Sequence, residues 1–422
     1  MNFVKKILDN GLTLITVPLK DTTSVTVLIM VKAGSKYETK KINGLSHFLE
    51  HMCFKGTEKR PKTSMISTEL DSIGSQSNAF TAQEFTGYYA KAHPAHIDRL
   101  LDIVSDLYLN PIFDPKEIEK EKGVIIEEIN MYEDMPNRHV QDVFISALYG
   151  DQPAGWNVAG TKENVLAMTR EDFLDYRAKN YVASATTVVI SGNFDEKSIQ
   201  LKVEKLFAGI SKNAKAEKLK IVENQTKPVI QIEPKQTDQT HIVLGLRAYK
   251  ARDKRKNTLK VLNAVLGGGM SSRLFQKLRE EMGVGYYVHS GIDSYTDHGY
   301  LAVSTGVDTN RVSEVVSAVL GELKKMADER VPKEELKKAK DYLVGNMYLS
   351  LESSDSLAEY YAMQDVLNDE ILTPKELASK IEKVTAEEIQ SVTKEIVKDK
   401  GLNMAIVGNI KDRKTIENIF HF

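Results

Sequence analysis

The chain has 422 residues, 41% of them hydrophobic and 27% charged, with a single cysteine, Cys53. At roughly 150 residues per domain this length suggests two or three domains, long enough for a large core, and the lone cysteine excludes any intrachain disulfide. Fifty-seven Lys and Arg against 59 Asp and Glu leave a formal net charge of −2, which argues against non-specific nucleic-acid binding; no apolar run reaches the roughly 18 residues of a membrane helix, so a soluble cytoplasmic protein is expected, with no nucleic-acid or membrane partner.

Strand signals come first. Thr13 to Val17 is apolar and β-branched, and Val25 to Val31 is richer still, closed by Gly34. A helix is predicted from about Gly44 to Phe54. A second, over Asp98 to Leu109, carries Leu100, Leu101, Val104, Leu107 and Tyr108 at helical spacing and ends at Asn110-Pro111. A third begins after Asp114-Pro115 and runs to about Asp134. Thr186 to Ile190 reads as a buried strand stopped by Ser191-Gly192-Asn193.

That last segment has an echo. Val188-Val189-Ile190-Ser191-Gly192-Asn193-Phe194 is similar to Met404-Ala405-Ile406-Val407-Gly408-Asn409-Ile410, about half the chain away, and each copy is followed by a short amphipathic segment ending in Phe207 or Phe420. Ser211 to Lys227 is poor in large apolar residues and reads as a surface linker. Two related domains follow, 1–214 and 215–422. Strands come in groups between helices without strict βαβ alternation. The expected fold is α+β, two similar domains, each a mixed or antiparallel sheet with helices packed on one face.

His47-Phe48-Leu49-Glu50-His51 carries the chemistry. On a helix, His47 and His51 lie about 40° apart around the axis, so both imidazoles reach one metal ion, and Glu50 lies about 60° from His47 on the other side, placed to take a proton from a water there. This is the inverted form of the zinc-peptidase helix motif. Zinc takes a third protein ligand and keeps an open position. The helix after Pro115 offers Glu117, Glu119, Glu121, Glu127 and Glu128. Glu121 and Glu128 are nearly aligned on a stripe with Val124, Ile125 and Tyr132, and a carboxylate on an apolar face needs a partner such as a metal. Glu127 is rotated about 100° away, and Glu117 and Glu119 suit a solvated face.

These segments resemble the pitrilysin family of inverted-motif zinc peptidases, which includes insulin-degrading enzyme and the β subunit of mitochondrial processing peptidase. The resemblance spans Gly44 to Thr57, Gly74 to Lys91 and Glu119 to Ile129, and in the second half Gly267 to Phe275 and Leu278 to Tyr287. It implies one zinc per chain held by His47, His51 and Glu128, with Glu50 as general base and Glu121 as a supporting carboxylate. It implies that Arg279 and Tyr286, seven residues apart, complete the active site from the opposite half. It also implies that Asn78, Ala79 and Phe80 lie on an edge strand that binds peptide substrate. Relatives of this length form two-chain clamshells, so a homodimer enclosing a chamber for short or unfolded peptides is expected. A heterodimer is the alternative, as is a catalytically silent partner subunit, although silent relatives have a degraded metal motif and this chain does not.

Other residues read more simply. Gly267-Gly268-Gly269 lacks the ending of a phosphate loop and reads as a turn into a helix. His93 and His96 flank Pro94 in a surface turn. Cys53 reads as a small buried helix residue, with thiol-reagent inhibition as the sharper alternative. Trp156 reads as a packing residue or loop anchor.

Overall fold

Apolar strands of the first half build a six-stranded mixed sheet. The computed structural model describes residues 2–285, 287–368, 370–410 and 413–422. β1 (Val4–Ile7), β2 (Thr13–Pro18), β3 (Val25–Val31), β4 (Gln76–Thr81), β5 (Thr86–Ala92) and β6 (Thr186–Gly192) lie in the order β1-β2-β6-β3-β5-β4. Only β2 and β6 run parallel; the other pairs are antiparallel. β4 is therefore an edge strand, paired with β5 alone among the described residues.

The main helical layer covers one face of this sheet, as expected. It includes α1 (Leu45–Cys53), α2 (Thr63–Ser72), α3 (Ile97–Leu109) and the inner side of α4 (Pro115–Asp134). Phe48, Leu49, Leu101, Val104 and Ile125 pack there with Val27, Ile29, Tyr88 and Val188. All seven residues of β3 are buried, so the opposite face needs cover too. A helix far along the chain, Ser354–Leu367, supplies it. Its buried Asp365 accepts from Thr187 at 2.7 Å and pairs with Lys5 and Lys32, while Ser354 and Thr26 share a hydroxyl contact of 2.9 Å.

The second sheet has five strands. β7 (Val229–Glu233), β8 (Thr240–Arg247), β9 (Tyr287–Ser294), β10 (Gly299–Val307) and β11 (Leu402–Val407) lie in the order β7-β11-β8-β10-β9. This repeats the first sheet without β1. β11 runs parallel to β7 and antiparallel to β8, as β6 runs parallel to β2 and antiparallel to β3. The two echoed segments are these equivalent strands. Gly192 and Gly408 end them with positive φ, +128° and +156°, and a Cβ on either would collide with the neighbouring strand's first residues. Phe207 and Phe420 are both buried after the helices that follow.

The compact units are not contiguous in sequence. One consists of Met1–Ile129, Asn157–Leu219 and Leu349–Thr373; the other of Asn130–Trp156, Lys220–Tyr348 and Pro374–Phe422. Thus 130–156 and 349–373 each leave the sequence half they were assigned to. The physical reason lies in the sheets, whose central strands are apolar on both faces. In the second unit, α5 (Pro136–Tyr149) packs Val140, Phe144 and Leu148 against Val243, Tyr300, Ala302 and Ala405. The opposite face takes the helices Lys256–Gly267, Val312–Asp328 and Ala386–Ile396.

Residues 211–227 form neither helix nor strand, as read from the sequence. They are nonetheless tied down. In the first unit Lys215 sits 3.6 Å over the Tyr37 ring and Lys218 pairs with Glu84; in the second, Gln225 donates to the Leu402 carbonyl at 3.0 Å. Among the described residues no helix is long and apolar enough to cross a membrane.

Candidate metal centre

The sequence of α1 sorts its own faces. Leu45, Phe48, Leu49, Met52 and Cys53, spaced as one helical stripe, are buried in the core, which leaves His47, Glu50 and His51 half-buried on the other side. Gly44 starts the helix at φ +100°, and a Cβ there would lie 2.5 Å from the Ala159 carbonyl oxygen. No side chain of the N-cap residue closes the helix. Glu38 does so from an earlier turn, accepting from the Ser46 N–H at 2.6 Å, the Gly44 N–H at 2.8 Å and the Asn43 amide at 3.0 Å. Burial pushes the Glu38 carboxyl up to about 7, against the pull of those donors.

Helix α4 brings the third group. Its inner face is Ile118, Glu121, Lys122, Ile125 and Ile129. The stripe inferred from sequence needs one correction, since Val124 is 51% exposed. It lies about 100° from Ile125, and the core contact is centred on Ile125. Glu128 is half-buried and Glu127 exposed.

One donor atom from each of His47, His51 and Glu128 lies within 4.8 Å of the others. Glu128 Oε2 is 3.6 Å from His47 Nε2 and 3.5 Å from His51 Nε2. Tetrahedral zinc with bonds of about 2.0–2.1 Å would set its donors about 3.3 Å apart, so two imidazole nitrogens and a carboxylate oxygen at these separations fit that ion. His51 Nδ1 lies 2.9 Å from Glu121 Oε1, so its proton is held there and Nε2 is left as the free lone pair. The second Glu121 oxygen lies 2.5 Å from Lys55 Nζ. His47 Nδ1 is buried with no partner among the described residues.

Electrostatics separates the groups. Burial, helped by the neighbouring His51, lowers the His47 imidazole to about 4 and keeps it neutral. Burial pulls the same way on His51, but Glu121, Glu128 and Glu50 outweigh it and raise that imidazole. Burial raises the Glu50 carboxyl above its ordinary value, moderated by a hydrogen bond from Thr81 and by His51. Glu121 is also pushed up by burial, yet His51 and Lys55 together bring it below the usual range. A carboxyl raised by burial and a carboxylate held below its usual range thus lie in one small site.

The remaining sequence candidates fall in several places. Asn78, Ala79 and Phe80 are on the edge strand β4, with Asn78 exposed and the other two half-buried. Ala79 packs into the core beneath α1, so alternation turns Asn78 and Phe80 to the other face. Arg279 is exposed on the helical stretch Phe275–Glu281, its guanidinium 5.4 Å from the Phe275 ring. Tyr286 lies outside the described residues. The glycine triplet ends the helix Lys256–Gly267 and leads through a turn to the next helical stretch. His93 and His96 bracket a single turn. Trp156 donates to Asp151 at 2.8 Å and anchors its loop. Cys53 is fully buried, its thiol 3.5 Å from the Tyr88 hydroxyl. From the sequence Thr81 reads only as the end of the edge strand, and Lys55 and Glu38 have no role in the site. Period-two alternation from Ala79 flags Thr81, and one helical turn beyond His51 flags Lys55; Glu38 has no local signal.

The pattern described as Insulinase (Peptidase family M16) matches residues 14–162, and that described as Peptidase M16 inactive domain matches residues 167–343. The uncharacterized zinc protease YmxG of Bacillus subtilis is 34% identical over 373 residues, 88% of this chain and 90% of that protein. An uncharacterized zinc protease of Streptomyces coelicolor is 31% identical over 96% of this chain and 90% of its own. Among solved structures, a protease from Helicobacter pylori superposes with a TM-score of 0.90 at 21% identity, covering 96% of this chain and 99% of its own. A peptidase M16 inactive domain from Pseudomonas fluorescens gives 0.90 at 16% identity, over 98% and 100%. The two solved structures share the fold, and the sequence matches carry the classification: this chain belongs to peptidase family M16, the insulinase family, as its pitrilysin-like motifs implied.

Proposed function

We propose that the protein is a zinc-dependent endopeptidase that hydrolyses short or unfolded peptides. The observation that carries the reading is the convergence of His47, His51 and Glu128 donor atoms beside Glu50. Relatives named zinc proteases support it.

His47, His51 and Glu128 would hold one zinc ion per chain. Zinc bound there supplies Lewis acidity toward the scissile carbonyl and the attacking water. Glu50 removes the water proton and returns it to the leaving amine; its raised carboxyl suits both halves of that transfer. Glu121 fixes the His51 ring. The open edge of β4 offers its backbone groups to an extended peptide, with Asn78, Ala79 and Phe80 alongside. Main-chain recognition of this kind tolerates many sequences.

Arg279 and Tyr286 would hold the substrate carbonyl and the developing oxyanion. They do so from the C-terminal domain of a partner chain, in a homodimer that encloses the reaction chamber. A buried, unpaired cysteine fits a thiol-reducing compartment, and the proposed location is the cytoplasm.

The test is cleavage of a mixed quenched-peptide panel by purified protein, with and without a chelator. Chelator-sensitive cleavage that returns with added zinc is expected. No cleavage at any zinc level would overturn the reading in favour of a silent partner subunit.

A further inference from the structure

We propose that Thr81 is the positioning residue of the general base: its hydroxyl holds the Glu50 carboxylate in one orientation, on a strand end anchored by a buried ion pair. The proposal rests on the zinc-peptidase reading and adds a residue that its motif does not contain.

Glu50 has three rotatable side-chain bonds and sits half-buried, free to present its carboxylate in several ways. The Thr81 hydroxyl donates to Glu50 Oε2. That contact occupies one oxygen and leaves Oε1 to receive the water proton. Thr is β-branched and stiff at χ1, so its hydroxyl is a firm donor.

The strand end that carries Thr81 is itself fixed. Thr81 is the last residue of β4 and pairs opposite Thr86. The turn closes with the Ala82 N–H donating to the Phe85 carbonyl at 2.8 Å. The Ala82 and Gln83 carbonyls accept from the Ser35 and Lys36 N–H groups at 3.2 and 2.9 Å. Gly34 permits this approach, because a Cβ there would lie 2.0 Å from the Ala82 oxygen. Inside the turn, Glu84 is almost fully buried and pairs with fully buried Lys36 at 3.0 Å, and with Lys218 from the segment that leaves the unit. A charge buried this deeply is costly to separate from its partner, so the turn resists displacement. Thr81 thus stands on the strand proposed to bind substrate and touches the proposed base, and the anchored turn fixes the distance between them.

The experiment uses the zinc-loaded full-length protein and a quenched peptide that the wild type cleaves. Thr81→Val removes the hydroxyl at nearly constant shape. Expected is a fall in kcat of roughly tenfold to a hundredfold, the scale of a hydrogen bond to a charged group, with KM within about twofold. Zinc content and melting temperature stay at wild-type values. Thr81→Ser restores the hydroxyl and brings kcat back to within about threefold. Where Thr81→Val lowers the melting temperature, Thr81→Ala against Thr81→Ser gives the same comparison. Wild-type kcat in the hydroxyl-free variants would overturn the proposal, as would a loss that Thr81→Ser fails to restore or that follows zinc content. A wild type that cleaves no peptide would instead overturn the underlying reading, and the proposal with it.

Discussion

Glu121 holds His51 from behind, with its Oε1 2.9 Å from the imidazole Nδ1 and its Oε2 2.5 Å from Lys55 Nζ. The carboxylate is buried and both its oxygens are held, so its orientation is fixed. Outer partners of this kind set the tautomer and direction of a ligating ring. Glu121→Ala is therefore expected to weaken zinc binding by roughly tenfold to a hundredfold. Competition against a chelator of known affinity reads this directly. Wild-type affinity in the variant would remove Glu121 from the site's support.

Much of this site was legible in the sequence, for local reasons. In α1 the stripe Leu45, Phe48, Leu49, Met52, Cys53 leaves His47, Glu50 and His51 together on one side, and helical periodicity alone shows it. The echo between β6 and β11 likewise pointed to two related halves, and the structure adds that their sheets repeat one strand order. What stayed hidden depends on distant packing. Helix Ser354–Leu367 covers the sheet of the first unit, and nothing in its own sequence names that partner. Val124 looked buried because the stripe on α4 was centred one position away from Ile125. Glu38 caps α1 from outside the helix, across a turn that propensity does not report.

Glu38 makes a pH signature in stability. Burial raises its carboxyl from 4.5 to about 7. Between those values the folded chain keeps a proton that the unfolded chain releases. The group's contribution is fully present below about pH 4.5 and is lost as pH rises through about 7, a change of a few kcal/mol. Glu38→Gln cannot titrate. Its melting temperature relative to wild type is expected to climb from pH 5 to about pH 7 and to level off above that. A pH-independent difference between the two proteins would show that Glu38 does not titrate in this range.

Cys53 is predicted to be inert. Burial pushes its thiol up to about 12, moderated by the Tyr88 hydroxyl. At pH 8 roughly one thiol in ten thousand would then be ionised, and it has no solvent exposure. Ellman's reagent should find no thiol in the native protein and one per chain after denaturation in guanidinium. Rapid native labelling, or loss of peptidase activity on such labelling, would contradict the buried placement.

The central claim separates two roles on one helix: His47 and His51, with Glu128, hold zinc, while Glu50 moves the proton. Glu50→Gln measured for both zinc content and peptide cleavage tests it most directly. The account predicts one zinc per chain, as in the wild type, with kcat lower by roughly a hundredfold to ten-thousandfold. Cleavage at the wild-type rate by the zinc-loaded variant would contradict it.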